Sequence, residues 1–377
     1  MERASHLVHI SLGSNIGDRL AYLQKAIDAI YEEVGDVLCI SGVYETPAWG
    51  FSSDDFYNAC ISVKTRYTPE QVLDILMGIE QELGRHRKEG EGYEARVIDL
   101  DVILSSCGVV ATKKLKVPHP SMQERKFVLV PLEEIAAQEL HPVFDKTIEV
   151  LLRETKDTAE IKKAKEQLIN PKENFSFSDF SYLAIEGNIG AGKTTLATMI
   201  AAEFNGKQVL ERFSDNPFLP KFYEDKERYA FPLEMSFLAD RYRQFTEDSS
   251  QLDLFKDFMV SDYDIYKSLI FAQVTLPEEE FKLYRTLFTI MYKEVVKPDQ
   301  YIYLYQNTDR LLQNIKNRGR TYEQNIPAAY LEKIHQGYID FIKTQPDLTV
   351  KIIDVSAIDF VKNRKDYCWL LREIVRK

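Results

Sequence analysis

At 377 residues the chain has material for two or three domains of about 150 residues each, which excludes a peptide or a single small module. Hydrophobic residues make up 45% and charged residues 28%, with Gly 16 and Pro 14, so collagenous and low-complexity chains are excluded as well. Lys+Arg 48 against Asp+Glu 59 gives a net charge of −11, which disfavours general adhesion to nucleic acid or to an anionic membrane.

In chain order, HLVHISLG reads as a strand, Asp18 to Glu33 as an amphipathic helix, FYNACISVKT as an alternating strand and Pro69 to Leu83 as a second helix, with VIDLDVIL following as a strand. That order predicts an α+β sandwich with helices covering a mainly antiparallel sheet. From Arg153 to Asp179 the residues are mixed in charge with little apolar periodicity, and Asn170-Pro171 interrupts them. We therefore expect domains over 1–155 and 181–377 joined by a charged linker over 156–180, a short solvated helix to about Leu168 and then a tether. Beyond it SYLAIEG, KQVLE, KDFMVSD, YIYLYQN and VKIIDVS are strand-like runs separated by long helical stretches, the pattern of a doubly wound parallel sheet. Cys39, Cys60, Cys107 and Cys368 are scattered and form no CxxC pair, which argues against a zinc site or disulfide framework and fits a reducing cytoplasm. No run approaches the roughly 18 apolar residues of a membrane span, and the first residues turn polar quickly, so neither secretion nor insertion is expected.

The sharpest chemical feature of the first half is RVIDLDVIL. Side chains alternate along a strand, so Asp99 and Asp101 share one face and their carboxylates repel unless a cation neutralises them. Hard oxygen ligands beside a phosphate suit Mg²⁺. Arg85, Arg87 and Arg96 bracket the glycine-containing KEGEGYEA, with His119 and Arg125 beyond the strand. Such cations suit a polyphosphate, since guanidinium groups bind phosphate oxygens bidentately. A salt-bridged surface with Glu89, Glu91 and Glu94 fits the same residues.

Five segments add to this picture: GSNIGDR, YETPAWG, FYNA, GRHRKEGEGYEARVIDLDVIL and VPHPSMQERKFVLVPL. Together they resemble the 6-hydroxymethyl-7,8-dihydropterin pyrophosphokinase family of folate biosynthesis, over about the first 150 residues. The resemblance implies a ferredoxin-like fold and transfer of the β,γ-diphosphate of ATP to the pterin hydroxymethyl group, leaving AMP. It implies that Asp99 and Asp101 hold Mg²⁺, that Arg85 and Arg96 neutralise charge during transfer, and that Arg87, His119 and Arg125 help hold ATP. Thr46, Pro47 and Asn58 would read the pterin edge, with Phe56 and Phe127 sandwiching its ring. Two positions depart from the family pattern: Ala95 stands where a proline is usual, and the Arg85–Arg96 loop, whose aromatic is Tyr93, is about one residue longer.

In the second half a strand runs into Gly187, Asn188, Gly190, Gly192, Lys193, Thr194 and Thr195, the G-x4-G-K-[ST] pattern in its strand–loop–helix setting. Backbone N–H groups there turn inward around phosphates, Lys193 reaches the outer phosphates and Thr194 can ligate Mg²⁺. Neither N-K-x-D nor D-x-x-G follows, against a GTPase switch. Glu211 ends KQVLE at the carboxyl edge of the sheet, where a carboxylate can accept a proton from an attacking hydroxyl.

IEGNIGAGKTT, LERFSDNPFLPKFYED, FPLEMSFLADRYRQ, VSDYDIYKSLIFA and RGRTYEQNIPAAYLEKIH together resemble the deoxynucleoside kinase family across almost all of 181–377. The implied reaction moves the ATP γ-phosphate to the 5′-hydroxyl of a deoxyribonucleoside, with Glu211 as its base, Tyr223 and Glu323 on the 3′-hydroxyl, and Arg318 and Arg320 as lid arginines. Where the family has an acidic-Arg-Ser triplet this chain has Asp262, Tyr263 and Asp264, and Lys267 is the candidate substitute. At the base-reading position stands Glu234 rather than glutamine, with Arg241 two turns on; a carboxylate prefers donor-rich base edges and disfavours thymine.

The expected whole is a cytoplasmic two-domain α/β enzyme with two activities, both using Mg²⁺ and ATP on small-molecule substrates, without nucleic-acid or membrane partners, and dimeric through its second domain. Two alternatives are an active first domain with a nucleotide-sensing second one, and a P-loop ATPase acting on a partner.

Overall fold

The computed structural model describes residues 5–48, 53–85, 95–212, 216–250, 255–293 and 296–376. The chain divides into two units, Met1–Phe175 and Ser176–Lys377.

The first unit runs β1 (His6–Ser14), α1 (Arg19–Glu33), β2 (Gly35–Ile40), β3 (Tyr44–Thr46), β4 (Phe56–Thr65), α2 (Pro69–Glu82) and β5 (Asp99–Ser105). There follow the ribbon β6 (Val110–Ala111) with β7 (Lys116–Val117), α3 (Lys126–Ala136), the ribbon β8 (Leu140–His141) with β9 (Lys146–Thr147), α4 (Ile148–Glu154) and β10 (Lys162–Lys163). Local chemistry sets the helix starts. Asp18 accepts from the Ala21 N–H, and Thr68 with Gln71 forms a capping box ahead of Pro69. The main sheet is antiparallel in the order β10-β3-β4-β1-β5, with β2 also paired to β4, as the α+β reading requires.

Register then fixes what shares a face. Val8, Ile10 and Leu12 of β1 are fully buried on one side. On the other, Gly13 lies opposite Asn58 and Asp99, and Ser11 opposite Cys60 and Asp101. Cys60 packs with Val128, Leu129, Leu132, Ile148 and Leu151, so α3 and α4 cover this second face. The start of α3 therefore overhangs the row that carries the two aspartates.

The stretch after α4 departs from the expected helix and tether. Asp157 Oδ2 accepts from the Lys126 N–H at 2.9 Å and Lys126 Nζ donates to Ala159 O at 3.1 Å. Lys162 and Lys163 pair with Glu45 and Tyr44, Ile169 N–H donates to Gln24, and Asn170 donates to Val37 O. The physical reason is the free edge of β3, which offers backbone groups that any nearby extended segment can satisfy. Phe175, packed on Tyr31, closes this run within the first unit.

The second unit contains β11 (Tyr182–Gly187), α5 (Lys193–Glu203), β12 (Lys207–Val209), α6 (Leu219–Glu224), α7 (Lys226–Ser250), β13 (Met259–Ser261) and α8 (Tyr266–Thr275). It continues with α9 (Glu278–Tyr292), β14 (Gln300–Tyr305), α10 (Thr308–Arg318), α11 (Ala328–Lys343), β15 (Val350–Asp354) and α12 (Arg364–Val375). The sheet is parallel throughout, in the order β12-β13-β11-β14-β15. Its strands are apolar on both faces, as a doubly covered sheet demands: Tyr182, Tyr301 and Tyr303 pack with Tyr263, Tyr338 and Phe341, while Leu183, Ile185, Ile302 and Leu304 are buried on the opposite side. Glu211 lies two residues beyond the end of β12 rather than on the strand itself.

Candidate active sites

In the first unit a cavity of about 240 Å³ opens where the aspartate row meets the start of α3. Thr46, Pro47, Phe56, Asn58, Arg96, Asp99, Asp101, His119, Arg125 and Phe127 all line it, which brings ten expected residues together from four separate segments. Ser11 and Gly13 complete the lining and were not expected. Gly13 forms part of the floor: a Cβ there would lie 3.0 Å from Asn58 Oδ1. Asn58 Nδ2 donates to Thr46 Oγ1 at 2.7 Å, which fixes the amide at the polar end. Arg125 lies over the Phe127 ring, 5.8 Å from its centroid.

Asp99 is held from two sides. Arg85 donates to its Oδ1 at 2.7 Å and Arg96 to its Oδ2 at 2.5 Å. Arg85 also pairs with Glu80 of α2, whose Oε1 accepts from the Leu100 N–H at 2.8 Å. Glu80 thus ties the arginine to the strand that carries the aspartates, a role no local motif signals. Burial and the neighbouring Asp99 push Asp101 up to about 7, the mark of a carboxylate pair short of positive charge. Burial and Arg125 draw His119 down to about 4, and its Nδ1 accepts from the Ser121 N–H, so the neutral ring carries its proton on Nε2. Asn15 of GSNIGDR bonds Ser53 and the Arg96 N–H, tying the chain before β4 to the chain before β5. Arg87 and Tyr93 lie outside the described residues.

In the second unit the P-loop joins β11 to α5. Gly187 is required by close approach, since a Cβ would lie 2.6 Å from Leu304 O, and Gly192 by its φ of +89° with Phe360 packed against it. Asn188 is buried and donates to Leu331 O, while Gly190 O accepts from Asn314, so α10 and α11 brace the loop. Lys193 Nζ donates to Asn188 O at 2.9 Å, and burial with Lys267 nearby draws this amine down to about 8. Thr194 and Thr195 follow Lys193 in the first turn of α5. Thr194 Oγ1 donates to Asp262 Oδ2, and Asp262 Oδ1 accepts from the Glu211 N–H at 2.8 Å. One carboxylate, Asp262, therefore bridges the phosphate loop and Glu211.

Glu211 sits between two cations. Lys267 Nζ donates to Oε2 at 2.5 Å, and Arg241 Nε to Oε1 at 3.0 Å. Burial would raise this carboxyl, but Lys267 and Arg241 together hold it well below the usual carboxylate range. Tyr263 is fully buried in the aromatic core, and Lys267 supplies a positive charge at Glu211. Arg241, expected near the base, is instead committed to Glu211 and to Ser268 Oγ at 2.6 Å. Glu234 is buried, with its Oε1 at 3.0 Å from Thr275 Oγ1, and makes no bond to Arg241. Where the lid is expected, Arg318 and Arg320 both pair with Glu323, and Tyr223 stacks on Tyr322 with centroids 6.0 Å apart.

Residues 183–377 match the deoxynucleoside kinase family, and residues 9–137 match the 7,8-dihydro-6-hydroxymethylpterin-pyrophosphokinase family. The chain is 38% identical over 190 residues to a deoxyguanosine kinase of Bacillus subtilis (strain 168), covering 49% of this chain and 92% of that one. It is 41% identical over 142 residues to a 2-amino-4-hydroxy-6-hydroxymethyldihydropteridine pyrophosphokinase of Aquifex aeolicus (strain VF5), covering 37% of this chain and 87% of that one. A solved deoxyadenosine kinase from M. mycoides superposes with a TM-score of 0.45 at 23% identity, over 51% of this chain and 100% of that one. With its two units matched separately and in order, the chain belongs to both families, a hydroxymethyldihydropterin pyrophosphokinase fused ahead of a deoxynucleoside kinase.

Proposed function

We propose that the cavity of the first unit seats the pterin between Phe56 and Phe127, with Thr46, Pro47 and Asn58 on its polar edge and ATP on the side of Arg96, His119 and Arg125. The hydroxymethyl oxygen bonds to the β-phosphorus while the α–β bridge breaks, and AMP leaves. Arg85 and Arg96 meet the charge that develops, which is the main demand of such a transfer. The supporting observation is the single cavity that gathers aromatic, amide, aspartate and arginine groups. The donor set fits Mg²⁺: Asp99 and Asp101 are hard oxygen ligands on one strand face, and the raised Asp101 carboxyl asks for a cation. Among the described residues no cluster of three or more His, Cys, Asp or Glu side chains is built to hold a metal, so phosphate oxygens would complete the shell. Bound there, Mg²⁺ would supply charge compensation to the diphosphate.

In the second unit the reading is γ-phosphoryl transfer to a 5′-hydroxyl, with ADP leaving. Lys193 and the loop N–H groups hold the phosphates, and Thr194 is the candidate Mg²⁺ ligand. Glu211 accepts the 5′-hydroxyl hydrogen bond. Its low proton affinity, set by Lys267 and Arg241, makes orientation its main task, with the proton passing late as the P–O bond forms. Phosphate oxygens compete with Glu323 for Arg318 and Arg320, which would release Glu323 to join Tyr223 on the 3′-hydroxyl. The bridge through Asp262 from Thr194 to Glu211 supports this reading most directly. Deoxyguanosine is the first acceptor to try, since the similar Bacillus protein is named for it and Glu234 suits a donor-rich base.

The scattered free cysteines and ATP-consuming chemistry support a cytoplasmic enzyme. Exposed Leu283 and Ile290, two turns apart on α9, support a homodimer through the second unit, which sedimentation would test. The activities are tested by incubating the purified chain with Mg-ATP and either the hydroxymethyl pterin or each of four deoxynucleosides: AMP is expected with the first and ADP with the second group. ADP formed without any acceptor would favour an ATPase instead.

A further inference from the structure

Thr275 raises a question of proton count. Its one hydroxyl hydrogen faces two oxygens at bonding distance, Phe271 O at 2.9 Å and Glu234 Oε1 at 3.0 Å. The first contact is the ordinary back-bond of a helical threonine to the carbonyl four residues earlier. If the hydroxyl donates there, the Glu234 contact is a bond only when Glu234 brings a hydrogen of its own.

The surroundings favour that arrangement. Glu234 is 3% exposed, and an isolated buried carboxylate is costly without a paired cation. The nearest candidate on its own helix, Arg241, has each guanidinium nitrogen engaged by Glu211 or Ser268. From the other elements, Lys267 of α8 is bonded to Glu211, and Glu211 itself adds repulsion. Tyr223 of α6, Tyr284 of α9 and Tyr330 of α11 face Glu234 as neutral phenols. Burial outweighs Arg241 and pushes Glu234 up to about 7.

We propose that Glu234 is a protonated carboxylic acid in the free kinase site, donating to Thr275, and that this one proton sets which deoxynucleosides the site accepts. The inference rests on Glu234 reading the base. A neutral carboxyl offers one donor and one acceptor, as an amide does. It matches an adjacent acceptor and donor, as on adenine or cytosine, and also guanine O6 with N1–H. Ionised, it offers acceptors only, and guanine alone presents two donors side by side, N1–H and N2–H₂. Guanine thus has an edge for either form, whereas adenine needs the neutral one.

The test is the ratio of kcat/KM for deoxyguanosine to that for deoxyadenosine, measured from one pH unit below about 7 to one unit above. Titration of Glu211, Lys193 or the phosphates acts on both substrates and cancels in the ratio. The ratio should rise about tenfold with pH in the wild type, following loss of the neutral form, and stay flat in Glu234→Gln. Thr275→Val removes the acceptor of the proposed bond, so the midpoint of the rise should move to lower pH; movement to higher pH would mean that Thr275 donates to a carboxylate, and would overturn the assignment. A flat wild-type ratio, with Glu234→Gln still reordering the two substrates, would overturn the proton but keep Glu234 on the base. No change of selectivity in Glu234→Gln would overturn the inference by removing the base-reading role beneath it.

Discussion

The two units face one problem, a polyphosphate brought beside an attacking oxygen, and meet it with opposite charge arrangements. In the first, two carboxylates share a strand face; Asp99 is gripped by Arg85 and Arg96, while Asp101 is left raised and in need of a cation. In the second, the Glu211 carboxylate is over-neutralised by Lys267 and Arg241, and the phosphate loop offers backbone N–H groups and Lys193. A face that would borrow charge from a bound metal suits a transfer in which two phosphates move together. A preformed cradle with an ionised acceptor suits transfer of one terminal phosphate. The difference is one of fixed charge against borrowed charge.

The largest effect should come from breaking the proposed Mg²⁺-binding face. Asp101→Ala is expected to cut AMP formation on the order of 10³-fold, because a metal's charge stabilisation at a diphosphate is worth several kcal/mol; chromatographic assay of AMP checks it. Glu211→Gln should lower ADP formation about 10²-fold or more at saturating substrates, the loss expected of an orienting acceptor, and an unchanged turnover number would make Glu211 merely structural. Lys267→Met sharpens the contrast further. With one of two cations gone, the Glu211 carboxyl rises, so the acid limb of the kinase kcat/KM profile should move up by about one to three pH units; a limb that stays in place would contradict the ion pair's role. The smallest effect should follow Asp157→Ala, which frees the Lys126 N–H at the start of α3. A lost cap of this kind costs about 0.5–2 kcal/mol, visible as a lower thermal midpoint for the first unit with only a modest rise in pterin KM.

Much of both sites could be read from residues that are close in sequence. The P-loop is a contiguous motif, and the aspartate pair follows from strand alternation, so each appears wherever the backbone type is recognised. Residues tied across long spans were harder. Glu80 is tied to Asp99 through Arg85, Asp262 reaches Thr194 across 68 positions, and Thr275 meets Glu234 across 41. Those contacts are made by helix packing and parallel crossovers, which leave no local periodic signal. The linker was misread for a related reason: a charged, aperiodic run looks solvated, yet two residues suffice to add β10 to the open edge of β3. Arg241 illustrates a third limit. Helical spacing puts it on the face of Glu234, but its charge goes to the stronger partner, Glu211.

The central claim is that one chain carries two separate phosphate-transfer sites. The most direct measurement gives Asp101→Ala and Lys193→Met, in parallel with the wild type, Mg-ATP together with both the hydroxymethyl pterin and deoxyguanosine, and resolves AMP from ADP in a single assay. The wild type should make both products, Asp101→Ala only ADP and Lys193→Met only AMP. Loss of both products in either folded variant, or AMP that persists in Asp101→Ala, would contradict it.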